Sequence, residues 1–225
     1  MAFNFIATFT ILFIARCSAQ SEGLEERSVL CKSRNAYYGL EGSCDTYLEC
    51  INYVANKMTC PDGLHYIPDT VWPGYPCAYP SDMTCDGRSI TEPAKPTVEC
   101  PHQYGYFPSP KATPTDCGHY YMCTEGRARD MMCPSGLAFS PDSGRCEWPE
   151  NVPFCDAGRF LGFTCPPTPA GADPNDVFNY KFPGNCFAFY SCVKGHARLL
   201  TCDAGMGFNE HTGRCEDADK LNCPY

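Results

Sequence analysis

The sequence lacks long hydrophobic runs beyond its first residues, close cysteine pairs, clustered histidines and any surplus of positive charge. After the apolar stretch Phe3–Ala15 (FNFIATFTILFIA) no segment approaches the ~20 apolar residues that a membrane-spanning helix needs. Only 19% of the 225 residues are charged, and 17 Lys and Arg stand against 26 Asp and Glu, a net charge of −9. Nucleic acid and anionic lipid recruit clustered Lys and Arg, so neither is expected as a partner. His65, His102, His119, His196 and His211 stand singly, and no two cysteines have fewer than five residues between them, so the CxxC pairs of zinc and redox sites are absent. No metal or other cofactor is expected. A glycosidase needs two carboxylates set in one cleft, and no DxxDxDxE run is present, so no catalytic residue is assigned. Asn-x-Ser/Thr acceptors for N-glycosylation are missing, and helical periodicity is missing too.

What the chain does have is cysteine: 19 of them, with 21 Pro and 19 Gly. That is roughly 8% cysteine, at the edge of the disulfide-scaffold class. The opening apolar run is about 13 residues long and is followed by small residues, the pattern of a secretory signal cut after Ala19. Residues 1–19 are therefore assigned as a leader and the mature protein as secreted. Losing the leader removes Arg16 and Cys17, which leaves a net charge of −10 and 18 cysteines. An even number in a secreted chain implies bridges.

Eighteen divides into three sets of six. Cys31, Cys44, Cys50, Cys60, Cys77 and Cys85 are separated by 12, 5, 9, 16 and 7 residues. Cys100, Cys117, Cys123, Cys133, Cys146 and Cys155 are separated by 16, 5, 9, 12 and 8, and Cys165, Cys186, Cys192, Cys202, Cys215 and Cys223 by 20, 5, 9, 12 and 7. The inner gaps of 5 and 9 recur in every set, and matching residues come with them. CDTYLEC, CGHYYMC and CFAFYSC align Tyr47, Tyr120 and Phe189. CPDGLHY, CPSGLAF and CDAGMGF align Tyr66, Phe139 and Phe208, each three residues after a glycine. CAYP, CEWP and CEDA align Tyr79, Trp148 and Asp217, so the third repeat has no ring at that place.

Two short runs around Glu125-Gly126 predict a hairpin, which the third repeat copies at Gly195. The first repeat carries Tyr53 there and is expected to turn differently. A second hairpin is predicted from Leu137 through Pro141-Asp142-Ser143-Gly144 to Trp148. The fold class is therefore small disulfide-rich all-β: three tandem modules of short antiparallel hairpins, at 28–86, 97–156 and 162–225. Modules of this size fall below the ~70–80 residues at which one apolar core suffices, and three bridges each, at about 2–4 kcal/mol apiece, supply the difference. Bridging frees some of the 14 Tyr, 14 Phe and 2 Trp to sit on a surface, where exposed rings point to a ligand. Strand alternation sets Tyr120 and Tyr121 on opposite faces, one buried and the other available.

Six cysteines with these inner gaps, an aromatic pair before the third, CPxGLxF after the fourth and CxWP after the fifth resemble the type-2 chitin-binding, or peritrophin-A, module. Residues 31–223 carry the resemblance. Three modules joined by Asp86–Glu99 and Asp156–Thr164 resemble the arthropod cuticular proteins analogous to peritrophins, the obstructor group. The resemblance implies pairing of first with third, second with sixth and fourth with fifth cysteine: Cys31–Cys50, Cys44–Cys85, Cys60–Cys77; Cys100–Cys123, Cys117–Cys155, Cys133–Cys146; Cys165–Cys192, Cys186–Cys223, Cys202–Cys215. Spacing alone leaves 15 connectivities open per module.

Chitin is the ligand that this implies, with other cuticle or matrix proteins as further partners. N-acetylglucosamine offers flat apolar C–H faces to a ring and needs no charge from the protein. Tyr47, Tyr66, Tyr79, Tyr120, Phe139, Trp148, Phe189 and Phe208 are the candidate contacts, Trp148 foremost. The expected function is non-enzymatic: a secreted chitin-binding protein that tethers or organises chitin fibrils in cuticle or a related extracellular matrix. A different class, a disulfide-rich protease inhibitor, would use the enlarged first-module gap at Asp69–Tyr75 (DTVWPGY) as its reactive loop.

Overall fold

A computed structural model describes residues 30–173, 175–221 and 223. The leader assigned to residues 1–19 lies outside them. Each module has the same plan, a three-stranded antiparallel sheet followed by a two-stranded one. In the first, β1 (Asn35–Gly39), β2 (Thr46–Ile51) and β3 (Val54–Thr59) form the sheet, and β4 (His65–Tyr66) pairs with β5 (Cys77–Ala78). In the second, β6 (Gly105–Pro108), β7 (His119–Thr124) and β8 (Arg127–Met132) precede β9 (Ala138–Ser140) and β10 (Arg145–Glu147). In the third, β11 (Phe178–Lys181), β12 (Ala188–Val193) and β13 (His196–Thr201) precede β14 (Met206–Asn209) and β15 (Arg214–Asp217).

The invariant gaps of 5 and 9 residues fall on the β2–β3, β7–β8 and β12–β13 hairpins, each with six cross-strand pairs joined by a two-residue turn. Glu125-Gly126 and Lys194-Gly195 make these turns with both residues at positive φ, as a tight hairpin requires. The first module turns in the same way, not differently: Asn52 and Tyr53 sit at φ 51° and 63°. The left-handed conformation costs a non-glycine residue about 1–2 kcal/mol. Local bonds offset it. The Tyr53 amide donates to the Arg34 carbonyl at 3.0 Å, the Asn52 amide to the Asn35 side chain at 3.0 Å, and the Arg34 guanidinium to the Asn52 side-chain oxygen at 2.9 Å. The Gly126 amide makes the corresponding bond to Gln103.

Nine bridges staple the modules, three in each. They join Cys31–Cys50, Cys44–Cys85 and Cys60–Cys77, then Cys100–Cys123, Cys117–Cys155 and Cys133–Cys146, then Cys165–Cys192, Cys186–Cys223 and Cys202–Cys215. In every module the first ties the middle strand to the chain ahead of the sheet, and the last closes the small hairpin. The core between the two sheets is thin, and half-cystines make up much of it.

The chain divides into two compact units, residues 1–93 and 94–225. In the first, buried Asp45 draws the segment after the last cysteine back against the sheet. Its carboxylate accepts from the Thr91 and Glu92 amides at 2.7 and 2.6 Å, from the Thr91 hydroxyl at 2.8 Å and from Ser43 at 3.0 Å.

The second unit holds the second and third modules. The segment expected to be a plain linker here contains a short helix, α1 (Ala157–Leu161), too short to show periodicity in the sequence. Asp156 caps it, accepting from the Arg159 amide at 3.1 Å, and Gly162 ends it at φ 65°. Its residues reach both modules. Phe160 packs on the cluster of Cys117, Ala138 and Val152. On the other side the Tyr190 hydroxyl donates to the Leu161 carbonyl at 2.6 Å, and Phe163 stacks on the Tyr190 ring at 4.3 Å and 5°.

Candidate functional site

Six of the eight candidate rings fall into three equivalent pairs. Tyr47 stacks on Tyr66 with centroids 5.0 Å apart, Tyr120 on Phe139 at 4.9 Å and Phe189 on Phe208 at 4.9 Å, all within 14° of parallel. Each pair joins the middle strand of the large sheet to the first strand of the small hairpin. Burial decides what these rings can touch. Tyr66 is 1% exposed, and Tyr47, Phe139 and Phe208 are also buried, whereas Tyr120 and Phe189 are half-buried. With one face on its partner and the rest covered, a buried ring has no flat surface to offer a sugar. These four are the apolar core of modules with few other apolar residues. Burial, and after it Glu49, pushes the Tyr47 hydroxyl up to about 12.

A third ring stands over two of the pairs. Tyr37 on β1 meets Tyr47 edge-on at 5.8 Å, and Tyr106 on β6 meets Tyr120 edge-on at 6.1 Å. Both rim rings are half-buried. The third module has Asn179 at this register, with its amide nitrogen donating to the Gly213 carbonyl at 3.0 Å. Sequence reasoning missed the rim rings because they lie in the gap between first and second cysteines, whose length varies from module to module. Tyr120 and Tyr121 do not divide into one buried and one available. Both are half-buried, because each face of so small a sheet is only partly covered.

Tyr79 and Trp148 lie beyond the small hairpins, both half-buried. Trp148 is not bare: the Arg198 guanidinium of the third module lies 4.9 Å from its ring centroid and bonds the Glu150 carboxylate at 3.0 Å. Asp217, at the matching place in the third module, is exposed near Lys220. Other rings exposed to solvent stand where the other repeats have no matching ring: Trp72 and Tyr75 in the enlarged gap of the first module, Phe154 before the Cys155 bridge, and Tyr53 at its turn.

One His/Cys grouping is present among the described residues, His65 beside Cys44 and Cys85. Both sulfurs are consumed in one bridge and offer no thiolate, and the His65 ring nitrogen Nδ1 lies 2.8 Å from the Met83 carbonyl. No helix of the described residues is long and apolar enough to cross a membrane.

The family described as "Chitin binding Peritrophin-A domain" matches residues 31–85, 100–155 and 172–223. Over 91% of its length the chain is 34% identical to protein obstructor-E of Drosophila melanogaster, covering 85% of that protein. Over 48% of its length it is 35% identical to peritrophin-1 of Anopheles gambiae, covering 71% of it. It is 22% identical to probable chitinase 10 of D. melanogaster, but spans only 10% of that protein.

Proposed function

Because the chain belongs to the chitin-binding peritrophin-A family, with three such modules, we propose that it is a secreted, non-catalytic protein that binds chitin and tethers or organises its fibrils in cuticle or a related extracellular matrix. The observation that carries this reading is the match of the family to all three bridged modules. The geometry supports it: each of the first two modules presents a rim tyrosine, Tyr37 or Tyr106, above a stacked pair, and a further ring, Tyr79 or Trp148, beyond its small hairpin. The flat C–H faces of N-acetylglucosamine lie on rings of this kind. A neutral polymer places no demand on the acidic balance of −9.

The family matches residues 31–85, 100–155 and 172–223, and the likeness to a chitinase covers only a tenth of that enzyme, which favours binding without hydrolysis. Nine bridges suit an oxidising extracellular compartment. The third module has Asn179 and Asp217 where its neighbours have rings, so its share of binding is the smallest, and its Arg198 holds Trp148 in place. Repeated sites on a repeated ligand raise avidity by about 10²–10⁴-fold over one module. Mixing the full chain with a suspension of chitin nanofibrils tests the organising role: light scattering rises as fibrils bundle. Fibrils that take up the protein and stay dispersed refute tethering.

A further inference from the structure

The enlarged fourth gap of the first module is left unused by the repeat. The loop it forms is held at its base by Cys60–Cys77 and by the Ile67 amide bonding the Pro76 carbonyl at 2.8 Å, and at its tip by the Gly74 amide bonding the Val71 carbonyl at 2.8 Å. On this braced loop Val71 is 82% exposed, Tyr75 63% and Trp72 36%. Large apolar side chains so exposed on a loop fixed at both ends mark a contact surface. The loop rises from the ring cluster of its own module: Tyr66, stacked on Tyr47, pairs with Cys77 at the loop base, so that Asp69 follows Tyr66 by three residues and Tyr75 precedes Cys77 by two.

The charge of the neighbouring sheet face sets this module apart. In the row across the large sheet, Glu49 stands between Tyr37 and Asn56. The second module has Met122 between Tyr106 and Arg129 in that row, and the third has Ser191 between Asn179 and Arg198. In that row the first module carries a carboxylate and no arginine, and the other two carry an arginine and no carboxylate. Lys57 pairs with Leu48 and by strand alternation faces the other side. A further observation points to a ligand here. The Tyr66 hydroxyl is buried with no hydrogen-bond partner among the described residues, and its equivalents Phe139 and Phe208 have no hydroxyl to satisfy.

We propose that the loop and the adjoining sheet face of the first module form a site for the amine-bearing glucosamine units of partly deacetylated chitin, with Trp72 and Tyr75 supplying ring faces and Glu49 and Asp69 the counter-charge. The sugar ring lies on the aromatic faces, its ammonium group is drawn to the two carboxylates, and its polar groups supply the partner that the Tyr66 hydroxyl lacks. The second and third modules offer no carboxylate in this row, so those modules keep to acetylated units. This assignment rests on the chitin-binding reading and adds a division of labour among the modules.

Calorimetric titration of the full chain with a fully deacetylated chitosan oligomer and with an N-acetylated oligomer of equal length tests it. Exposed or half-buried ion pairs are individually weak, so the expected preference for the deacetylated oligomer is about three- to tenfold at low salt, vanishing near 1 M salt. The double variant Glu49→Gln/Asp69→Asn abolishes the preference and leaves binding of the acetylated oligomer unchanged. The variant Trp72→Ala/Tyr75→Ala weakens the deacetylated oligomer at every salt concentration. These side chains lie outside the core, and the absence of titratable thiols shows that the bridges have formed. A wild-type chain without the preference, or a preference that survives loss of both carboxylates, overturns the assignment while chitin binding stands. Failure to bind the acetylated oligomer refutes the chitin reading itself. Inhibition of a trypsin-, chymotrypsin- or elastase-type protease that Trp72→Ala abolishes assigns the loop to protease inhibition and also overturns the proposal.

Discussion

Removing the Arg198 guanidinium takes away two contacts between the second and third modules at once. The cation lies over the Trp148 ring at 4.9 Å, a contact worth about 0.5–1 kcal/mol at a half-exposed site. It also neutralises Glu150, whose side chain is only 9% exposed and whose other carboxylate oxygen has no partner among the described residues. Leaving a fully buried charge unpaired costs about 3–5 kcal/mol. Arg198 itself is 30% exposed, so solvent screens part of the pair and the smaller end of that range is the ceiling. Arg198→Ala should therefore destabilise the junction by about 2–3 kcal/mol. In a Trp72→Phe background Trp148 is the only tryptophan, and its fluorescence reports the junction directly in urea. Acrylamide quenching of Trp148 should rise as its ring face is uncovered. A double-mutant cycle with Glu150→Gln should show coupling of about 1–2 kcal/mol. A change below about 0.5 kcal/mol with no coupling would refute the claim that this arginine clamps the two modules.

Two further outcomes follow from the packing. Burial alone would raise the Asp45 carboxyl, but hydrogen bonds from Glu92, Thr91 and Ser43 outweigh it and hold it below the usual carboxylate range. A depressed folded value means that its contribution is complete above the ordinary carboxylate pKa and is lost as pH falls through the folded value. Asp45→Ala should cost about 2–4 kcal/mol at neutral pH, less in acid, and should speed hydrogen exchange at the Thr91 and Glu92 amides. Unchanged exchange there would contradict the strap. The motif glycines Gly136 and Gly205 both hold positive φ, but a Cβ on Gly136 would meet the Leu199 Cβ at 2.7 Å, while one on Gly205 meets nothing within 4 Å among the described residues. Gly205→Ala should cost about 1–2 kcal/mol for its backbone, and Gly136→Ala clearly more, as thermal unfolding of the two variants will show.

Much of the fold was legible because spacing and turn chemistry carry it. The repeated 5 and 9 gaps mark the large hairpins, Gly126 and Gly195 their turns, and Pro141 to Gly144 the small hairpin of the second module. The first strand of each sheet was not legible, since β1, β6 and β11 lie in the gap that varies in length. Tyr53 hid a tight turn because its strain is offset by Arg34 and Asn35, residues distant in sequence. For the rings, alignment identified equivalent positions but not which side faced solvent. Tyr47, Tyr66, Phe139 and Phe208 recur because the core needs them. The cover on Trp148 depends on Arg198, 50 positions later in another module, and no local pattern reports such a contact.

Retention of the full chain on chitin beads, washed in high salt, tests the central claim most directly. Ring-on-sugar contact carries no charge, so the protein should stay bound through the wash and be lost progressively when Tyr79→Ala and Trp148→Ala are combined. Passage of the oxidised wild-type chain through the column at any salt concentration would contradict the account.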